Sequence, residues 1–104
     1  MKRPVLWSRN ALDDLKKQLT HIAADDPVAA DRVVDRLREA AAGLEDFATG
    51  RPGRVTGTYE KSVTRLAYII AYEIIPHGAG EAIVILRVIH TARDWPDEAW
   101  PSDG

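Results

Sequence analysis

The sequence of 104 residues lacks cysteine altogether. That absence excludes a disulfide framework, a thiolate metal site and a cysteine nucleophile, and it is ordinary for a protein of the reducing cytosol. Long hydrophobic runs are missing too: the segment after the charged start, Val5-Leu6-Trp7, is too short for a signal-peptide core or a membrane span. We therefore expect a cytoplasmic protein with no metal, no cofactor and no membrane contact.

A strong excess of one charge is also absent, because the net charge is -2. The charge is unevenly spread: residues 51–93 hold six Lys/Arg and three Asp/Glu, whereas residues 94–104 hold four Asp/Glu and no Lys/Arg. This balance favours an anionic partner and disfavours direct nucleic-acid binding. The length fits one domain, which we place at residues 1–96, followed by an acidic tail at 97–104.

Helical periodicity dominates the first half. Leu12, Leu15, Leu19 and Ile22 recur at helical spacing after Ser8, a good N-cap, and predict a helix from Arg9 to Ala24 with its three leucines in the core. Asp26 and Pro27 suit the start of a second helix, whose apolar stripe runs through the following residues: Ala30, Val33, Val34, Leu37, Ala41 and Leu44. Because the turn between them is short, we expect an antiparallel helical hairpin.

Strand patterns dominate the second half, after a glycine-rich segment from Phe47 to Gly57 that predicts a loop. The predicted strands are 5–7, 59–66, 68–75 and 82–90, and residues 76–80 form the turn between the last two. The order β-α-α-β-β-β predicts an α+β fold in which the helical hairpin covers one face of a mostly antiparallel sheet. Strict alternation places Ile83, Ile85, Arg87 and Ile89 on one face of the last strand.

Arg87 interrupts this apolar strand. Because an arginine keeps its charge in a protein interior, it needs a partner, water or a groove. It can form a structural ion pair with Glu60 or Glu73 on a neighbouring strand, or it can belong to a working surface.

Three segments together resemble a known family: Gly50-Arg51-Pro52-Gly53-Arg54-Val55-Thr56-Gly57-Thr58, Tyr68-Ile69-Ile70-Ala71-Tyr72, and residues 85–96, which read ILRVIHTARDWP. They are similar to the ParE branch of the RelE/ParE toxin superfamily, and the similarity extends from about Val5 to Pro96. The resemblance implies a RelE/ParE-like fold and a toxin that poisons DNA gyrase, blocks replication and is held inactive by a ParD-like antitoxin.

RelE-type relatives instead cut messenger RNA on the ribosome, a reaction that needs a base, an acid and cations around the phosphate. The chain offers Glu60 as base, His90 as acid, and Arg65 and Arg87 as cations, with Lys61 and Arg93 nearby in the sequence. It has no tyrosine after His90, and Trp95 cannot transfer a proton. We therefore expect a toxin that is not an enzyme, with the ribonuclease or a degenerate member that only binds antitoxin as alternatives.

Aromatic and arginine side chains usually dominate the interfaces at which a disordered antitoxin folds. The residues that we expect to contact partners are therefore Trp7, Tyr59, Tyr72, Arg87, Arg93 and Trp95. Several of the residues singled out here also have a structural interpretation. His90 is compatible with a hydrogen-bonded structural role, Trp95 with covering the core edge, and the loop arginines Arg51 and Arg54 with a turn that simply demands glycine.

Overall fold

The fold is a five-stranded sheet with a helical hairpin on one face. The computed structural model describes residues 3–53, 55–63 and 65–91. Its elements are β1 (Val5–Trp7), α1 (Arg9–Ala23), α2 (Pro27–Gly43), β2 (Arg51–Pro52), β3 (Tyr59–Ser62), β4 (Tyr68–His77) and β5 (Gly80–His90). The sheet order is β1-β5-β4-β3-β2, and β1 runs parallel to β5 while the other pairs are antiparallel. The predicted α+β architecture is confirmed.

Both helices begin where the sequence indicates. Ser8 Oγ accepts a hydrogen bond from the Ala11 amide at 3.1 Å, and Asp26 Oδ1 accepts one from the Ala29 amide at 3.1 Å. These side chains satisfy amides that the first helical turn leaves without a backbone partner. Neither helix in the described part of the chain has the length and apolar character needed to cross a bilayer.

The predicted core face of α1 is partly wrong. Leu15 is buried, but Leu12 is 50% exposed and Leu19 is 36% exposed. The buried positions of this helix are Ala11, Asp14, Leu15 and Gln18. Their spacing defines a stripe that includes Leu15 but is rotated away from Leu12 and Leu19, because the sheet supplies polar partners for Asp14 and Gln18.

The main core lies between the hairpin and one face of the sheet, hereafter the helix-covered face. It consists of buried residues from α1, α2, β4 and β5, with Val63 beside them: Ala11, Leu15, Leu37, Ala41, Leu44, Val63, Tyr68, Ile70, Tyr72, Ile83, Ile85 and Val88. A smaller buried pair, Ala71 and Ile89, lies on the other face with Val55 packed against it.

A β-bulge in β5 overturns the strict alternation predicted for that strand. Ala71 pairs with Arg87 and Tyr72 pairs with Ile85, so Leu86 is the extra residue. One extra residue exchanges the two faces beyond it. Ile83 and Ile85 therefore share the helix-covered face with Val88, whereas Arg87 and Ile89 belong to the opposite face.

Three strand boundaries also differ from prediction. The expected loop at 47–57 contains β2, whose two residues pair with Tyr59 and Glu60. β3 ends at Ser62, because the chain turns there with Arg65 at a φ of 66° and the Val63 amide bonded to the Tyr68 carbonyl at 3.1 Å. β4 and β5 extend to a two-residue turn in which Gly78 supplies a φ of 58°.

Candidate functional site

The open edge of β5 is covered by the beginning of α1. β1 pairs with β5 only as far as Ile85, opposite Trp7. Beyond that point Ser8 donates its amide to the Ile85 carbonyl at 3.0 Å and its hydroxyl to the Leu86 carbonyl at 3.1 Å. The helix thus supplies the hydrogen bonds that a continuing edge strand would otherwise make.

Asp14 completes this contact and binds Arg87. Its Oδ2 accepts from Arg87 Nε at 2.8 Å and from the Val88 amide at 2.8 Å, and its Oδ1 accepts from Arg87 Nη2 at 3.0 Å. The Asp14 side chain is 11% exposed and that of Arg87 is 31% exposed. We call this arrangement the Asp14 clasp. A two-pronged pair with an additional backbone amide is a geometry in which a charged side chain is well satisfied.

The ion pair expected for Arg87 is present, but its partner differs from the two glutamates predicted from the sequence. An ion pair joins Arg87 to Asp14 on α1, whereas the expected partners were Glu60 and Glu73 on neighbouring strands. A signal existed: Asp14 lies one residue before Leu15 and three after Ala11, on the buried stripe of α1. A carboxylate on the inner stripe of a helix predicts a buried donor opposite it.

Tyr72 belongs to the core and lacks the exposed surface that partner contact requires. Its side chain is fully buried, its ring stacks on Tyr59 with centroids 5.4 Å apart, and its Oη accepts from the Gly50 amide at 2.9 Å. Burial raises the pKa of the Tyr72 phenol. The prediction that Tyr72 contacts a partner is therefore wrong, since the sheet and the hairpin enclose it.

The glycines of the loop before β3 are required by close approach, as the structural interpretation of that loop predicts. A Cβ at Gly50 would stand 2.6 Å from Tyr72 Oη, and one at Gly53 would stand 2.7 Å from Thr58 Oγ1. The chain at these positions packs directly against neighbouring side chains, which leaves no room for a methyl group. Arg51 is exposed, and Arg54 lies outside the described residues.

The structure separates the two residues considered as an acid–base pair. Glu60 pairs with Ala71, which pairs with Arg87, so Glu60 and Arg87 share the face opposite the hairpin. His90 pairs with Tyr68, whose ring lies in the main core. Successive residues of β4 point to opposite faces, and no irregularity lies between Tyr68 and Ala71. Glu60 and His90 therefore occupy opposite faces of the sheet.

His90 makes a structural contact. Its ring meets the ring of Tyr68 edge-on, with centroids 5.0 Å apart, and Tyr68 Oη donates to Gln18 Oε1 at 2.9 Å. This chain of contacts joins β5 and β4 to α1. Arg65 is exposed on the turn between β3 and β4. The residues described include no group of three or more His, Cys, Asp or Glu that is suited to a metal ion.

Of the other residues predicted to contact partners, the structure describes two. Trp7 and Tyr59 are partly buried and pack against the main core. Arg93, Trp95 and the acidic tail at 97–104 lie outside the described residues. Phe47, the one phenylalanine of the chain, is 74% exposed and is not among the residues predicted to contact partners. An aromatic residue at the start of a glycine-rich loop was the available signal.

Phe47 borders a groove that runs beside α2. It consists of three adjoining cavities of about 360, 300 and 260 Å³. Arg36 lines both the first and the second cavity. The second and the third share Glu39, Ala40 and Lys61. One wall is α2; the other consists of β3, the Leu66 turn and the loop that begins at Phe47. We call this feature the α2 groove.

Comparisons with known proteins agree on one family. Residues 5–95 match the family model of the ParE toxin of the type II toxin–antitoxin system parDE. The chain is 36% identical over 96 residues to the putative toxin Y4kP of Sinorhizobium fredii, a match that covers 91% of this chain and 95% of that protein. It is 33% identical over 89 residues to toxin RelE2 of Caulobacter vibrioides, covering 86% and 96%.

Two solved structures share the fold. A chain of the chromosomal ParDE toxin–antitoxin system from P. aeruginosa superposes with a TM-score of 0.73 at 25% identity, covering 84% of this chain and 94% of that one. A chain of the toxin–antitoxin complex RelBE2 from Mycobacterium tuberculosis gives a TM-score of 0.59 at 26% identity, covering 86% and 99%. With the family model spanning most of the sequence, this chain belongs to the ParE toxin family of type II toxin–antitoxin systems, within the RelE/ParE superfamily.

Proposed function

We propose that this chain poisons DNA gyrase and thereby blocks replication, that it is not an enzyme, and that a ParD-like antitoxin neutralises it. The observation that carries the proposal is the position of Glu60 and His90 on opposite faces of the sheet. A proton acceptor and a proton donor for one phosphodiester must both reach the same substrate, within hydrogen-bonding distance of the reacting oxygens. Because the sheet lies between Glu60 and His90, these two side chains cannot reach the same phosphodiester.

The state of Arg87 supports the same proposal. A cation that stabilises a phosphorane-like transition state must offer its N–H groups to the developing charge. Here Nε and Nη2 of Arg87 are directed to Asp14. Using them on RNA would require breaking the Asp14 clasp, which also holds the Val88 amide.

Family membership supports the antitoxin partner. The matching family model is that of a toxin in a two-component system, and the similar solved structures come from ParDE and RelBE complexes. The α2 groove and the exposed Phe47 offer a surface on which a folding segment can bury apolar area. We expect the chain to copurify with such a partner.

The experiment compares gyrase and ribosome directly. The purified, antitoxin-free chain is added to a supercoiling assay with DNA gyrase and, separately, to a translation extract in which cleavage of the messenger is mapped. We expect lost supercoiling, accumulated gyrase–DNA cleavage complexes and intact messenger. Cleavage of translated messenger with unaffected gyrase would establish the ribonuclease alternative, and no effect in either assay would indicate a degenerate member.

Variants sharpen the comparison. Glu60→Gln and His90→Gln change the ionisable groups while retaining hydrogen-bonding side chains of similar size. Under the proposal each variant, once its fold is verified by circular dichroism, inhibits gyrase within about twofold of the wild type, since ~0.4 kcal/mol corresponds to such a factor. If either variant lost most of its toxicity together with an ability to cleave messenger, the proposal would be refuted.

A further inference from the structure

The α2 groove is long enough to hold a folded segment of another chain. Its α2 wall extends from Ala29 to Gly43, and at 1.5 Å rise per residue this span is about 21 Å. Its inner lining includes Val33, Ala40 and Leu66, which are partly buried. A groove of this length with an apolar interior suits an amphipathic segment of several turns.

Two carboxylates, Asp35 and Glu39, and three cations line the groove, and the cations differ in whether they already have a partner. Lys61 Nζ donates to Thr49 Oγ1 at 2.7 Å, and Arg36 also has an interaction partner. Arg32 lines the cavity at the Ala29 end, is exposed, and makes no hydrogen bond or ion pair within the part of the chain that the structure describes. It is the cation of this cavity that an incoming carboxylate can engage without displacing an existing partner.

From this placement we infer that Arg32 is a specificity-determining residue for the antitoxin. The α2 groove accepts an amphipathic antitoxin segment that sets a carboxylate on Arg32 and apolar side chains against Val33 and Leu66. This inference rests on the proposed function, because it names the part of the antitoxin and the toxin residue that recognise each other. Complementary charge at the edge of an apolar groove selects partners by penalising a wrong charge at that point.

The test uses a charge reversal with a matched control on the same helix. Arg32→Glu places a carboxylate in the groove; Arg38→Glu makes the same change at an exposed position that does not line it. The probe is the full-length product of the reading frame beside the toxin gene, titrated against each toxin by fluorescence anisotropy. We expect Arg32→Glu to weaken binding by about tenfold or more, and Arg38→Glu by less than about threefold, at about 0.1 M salt.

A second measurement identifies the contact. Each Asp and Glu of the antitoxin segment is replaced in turn by Lys, and at least one replacement should restore binding to Arg32→Glu while weakening binding to the wild type. Circular dichroism and urea unfolding verify that both toxin variants are folded. Arg32→Gln serves as a second variant, with an expected loss of about threefold, because it removes the charge without reversing it.

The possible outcomes distinguish a wrong role for Arg32 from a wrong proposed function. If the wild-type toxin does not bind the probe, the antitoxin part of the proposed function fails. If the wild type binds and Arg32→Glu binds equally well, the inference is overturned while the proposed function stands. Sedimentation of the wild type alone tests the other occupant: self-association that Arg32→Glu abolishes would assign the groove to a second copy and overturn the inference.

Discussion

Replacing Asp14 tests how α1 is attached to the sheet. Asp14→Ala deletes the acceptor of three donors, two on the Arg87 guanidinium and one on the Val88 amide. The variant also leaves the Val88 amide buried beside an alanine. One substitution therefore removes both the ion pair to Arg87 and the hydrogen bond from the Val88 amide, while the contacts of Ser8 with β5 remain.

The size of the effect follows from the exposure of each group. A buried amide left without an acceptor costs about 1–3 kcal/mol. Breaking a fully buried ion pair costs about 3–5 kcal/mol, but the Arg87 side chain is 31% exposed and regains part of its hydration, so its share is nearer 1 kcal/mol. We expect Asp14→Ala to lower the free energy of unfolding by about 3 kcal/mol.

The assay is urea unfolding followed by circular dichroism. With a slope of about 1.5 kcal/mol per molar urea, the midpoint should fall by about 2 M. Asp13→Ala is the matched control, because Asp13 is exposed on the same helix and should change stability by no more than about 0.5 kcal/mol. Asp14→Asn keeps one acceptor oxygen, so its urea midpoint should lie between those of Asp14→Ala and Asp13→Ala.

A double-mutant cycle isolates the ion pair. If the clasp is as described, Asp14→Ala and Arg87→Ala together cost less than the sum of the two, with a coupling of about 1–2 kcal/mol. Equal stability of Asp14→Ala and Asp13→Ala, or strict additivity of Asp14→Ala with Arg87→Ala, would show that the Asp14 clasp does not stabilise the fold.

Three further changes have defined outcomes. Gly50→Ala forces a methyl group against Tyr72 Oη and should cost about 2 kcal/mol in urea unfolding, whereas Gly43→Ala, with open space around it, should be neutral or stabilising. Arg65 has a φ of 66°, which is strained for a residue with a side chain, so Arg65→Gly should raise the free energy of unfolding by about 1 kcal/mol. Arg65→Ala keeps the strain and should give no such gain; an equal gain in both variants would contradict backbone strain as the cause. Because burial raises the pKa of Tyr72 above its usual 10.0, the native state holds the phenol proton more firmly than the unfolded chain does. The resulting contribution to the free energy of unfolding is complete below about pH 10 and is lost as the pH rises above it. The stability of Tyr72→Phe should therefore fall less steeply than that of the wild type between about pH 10 and 12. Parallel curves of stability against pH for the two proteins would exclude Tyr72 as the source of this pH dependence.

The helical half of the fold was accessible from sequence because its signals are local. Ser8 and Asp26 are capping residues adjacent to periodic apolar stripes, and both caps form as predicted. The rotation of α1 was not accessible, since it depends on the sheet supplying Arg87 and Tyr68 as partners for Asp14 and Gln18. Leu12 and Leu19 were therefore wrongly placed in the core.

The faces of β5 illustrate the same limit. Alternation is a local rule, but a bulge is set by the pairing between two strands and by α1 covering the edge beyond Ile85. A single extra residue, Leu86, changed the predicted surroundings of Arg87 and Ile89. The candidate site depends on these non-local contacts, so the sequence named Glu60, Arg87 and His90 without indicating which of them share a face.

The sheet lies between Glu60 and His90, and on this ground we propose that the toxin acts on gyrase without cutting RNA. The most direct measurement is a parallel titration of the purified chain against DNA gyrase supercoiling and against ribosome-bound messenger. We predict that supercoiling is lost at concentrations of toxin that leave every transcript intact. Transcripts cut at those concentrations, with cutting abolished by Glu60→Gln or His90→Gln and supercoiling unchanged, would contradict the claim.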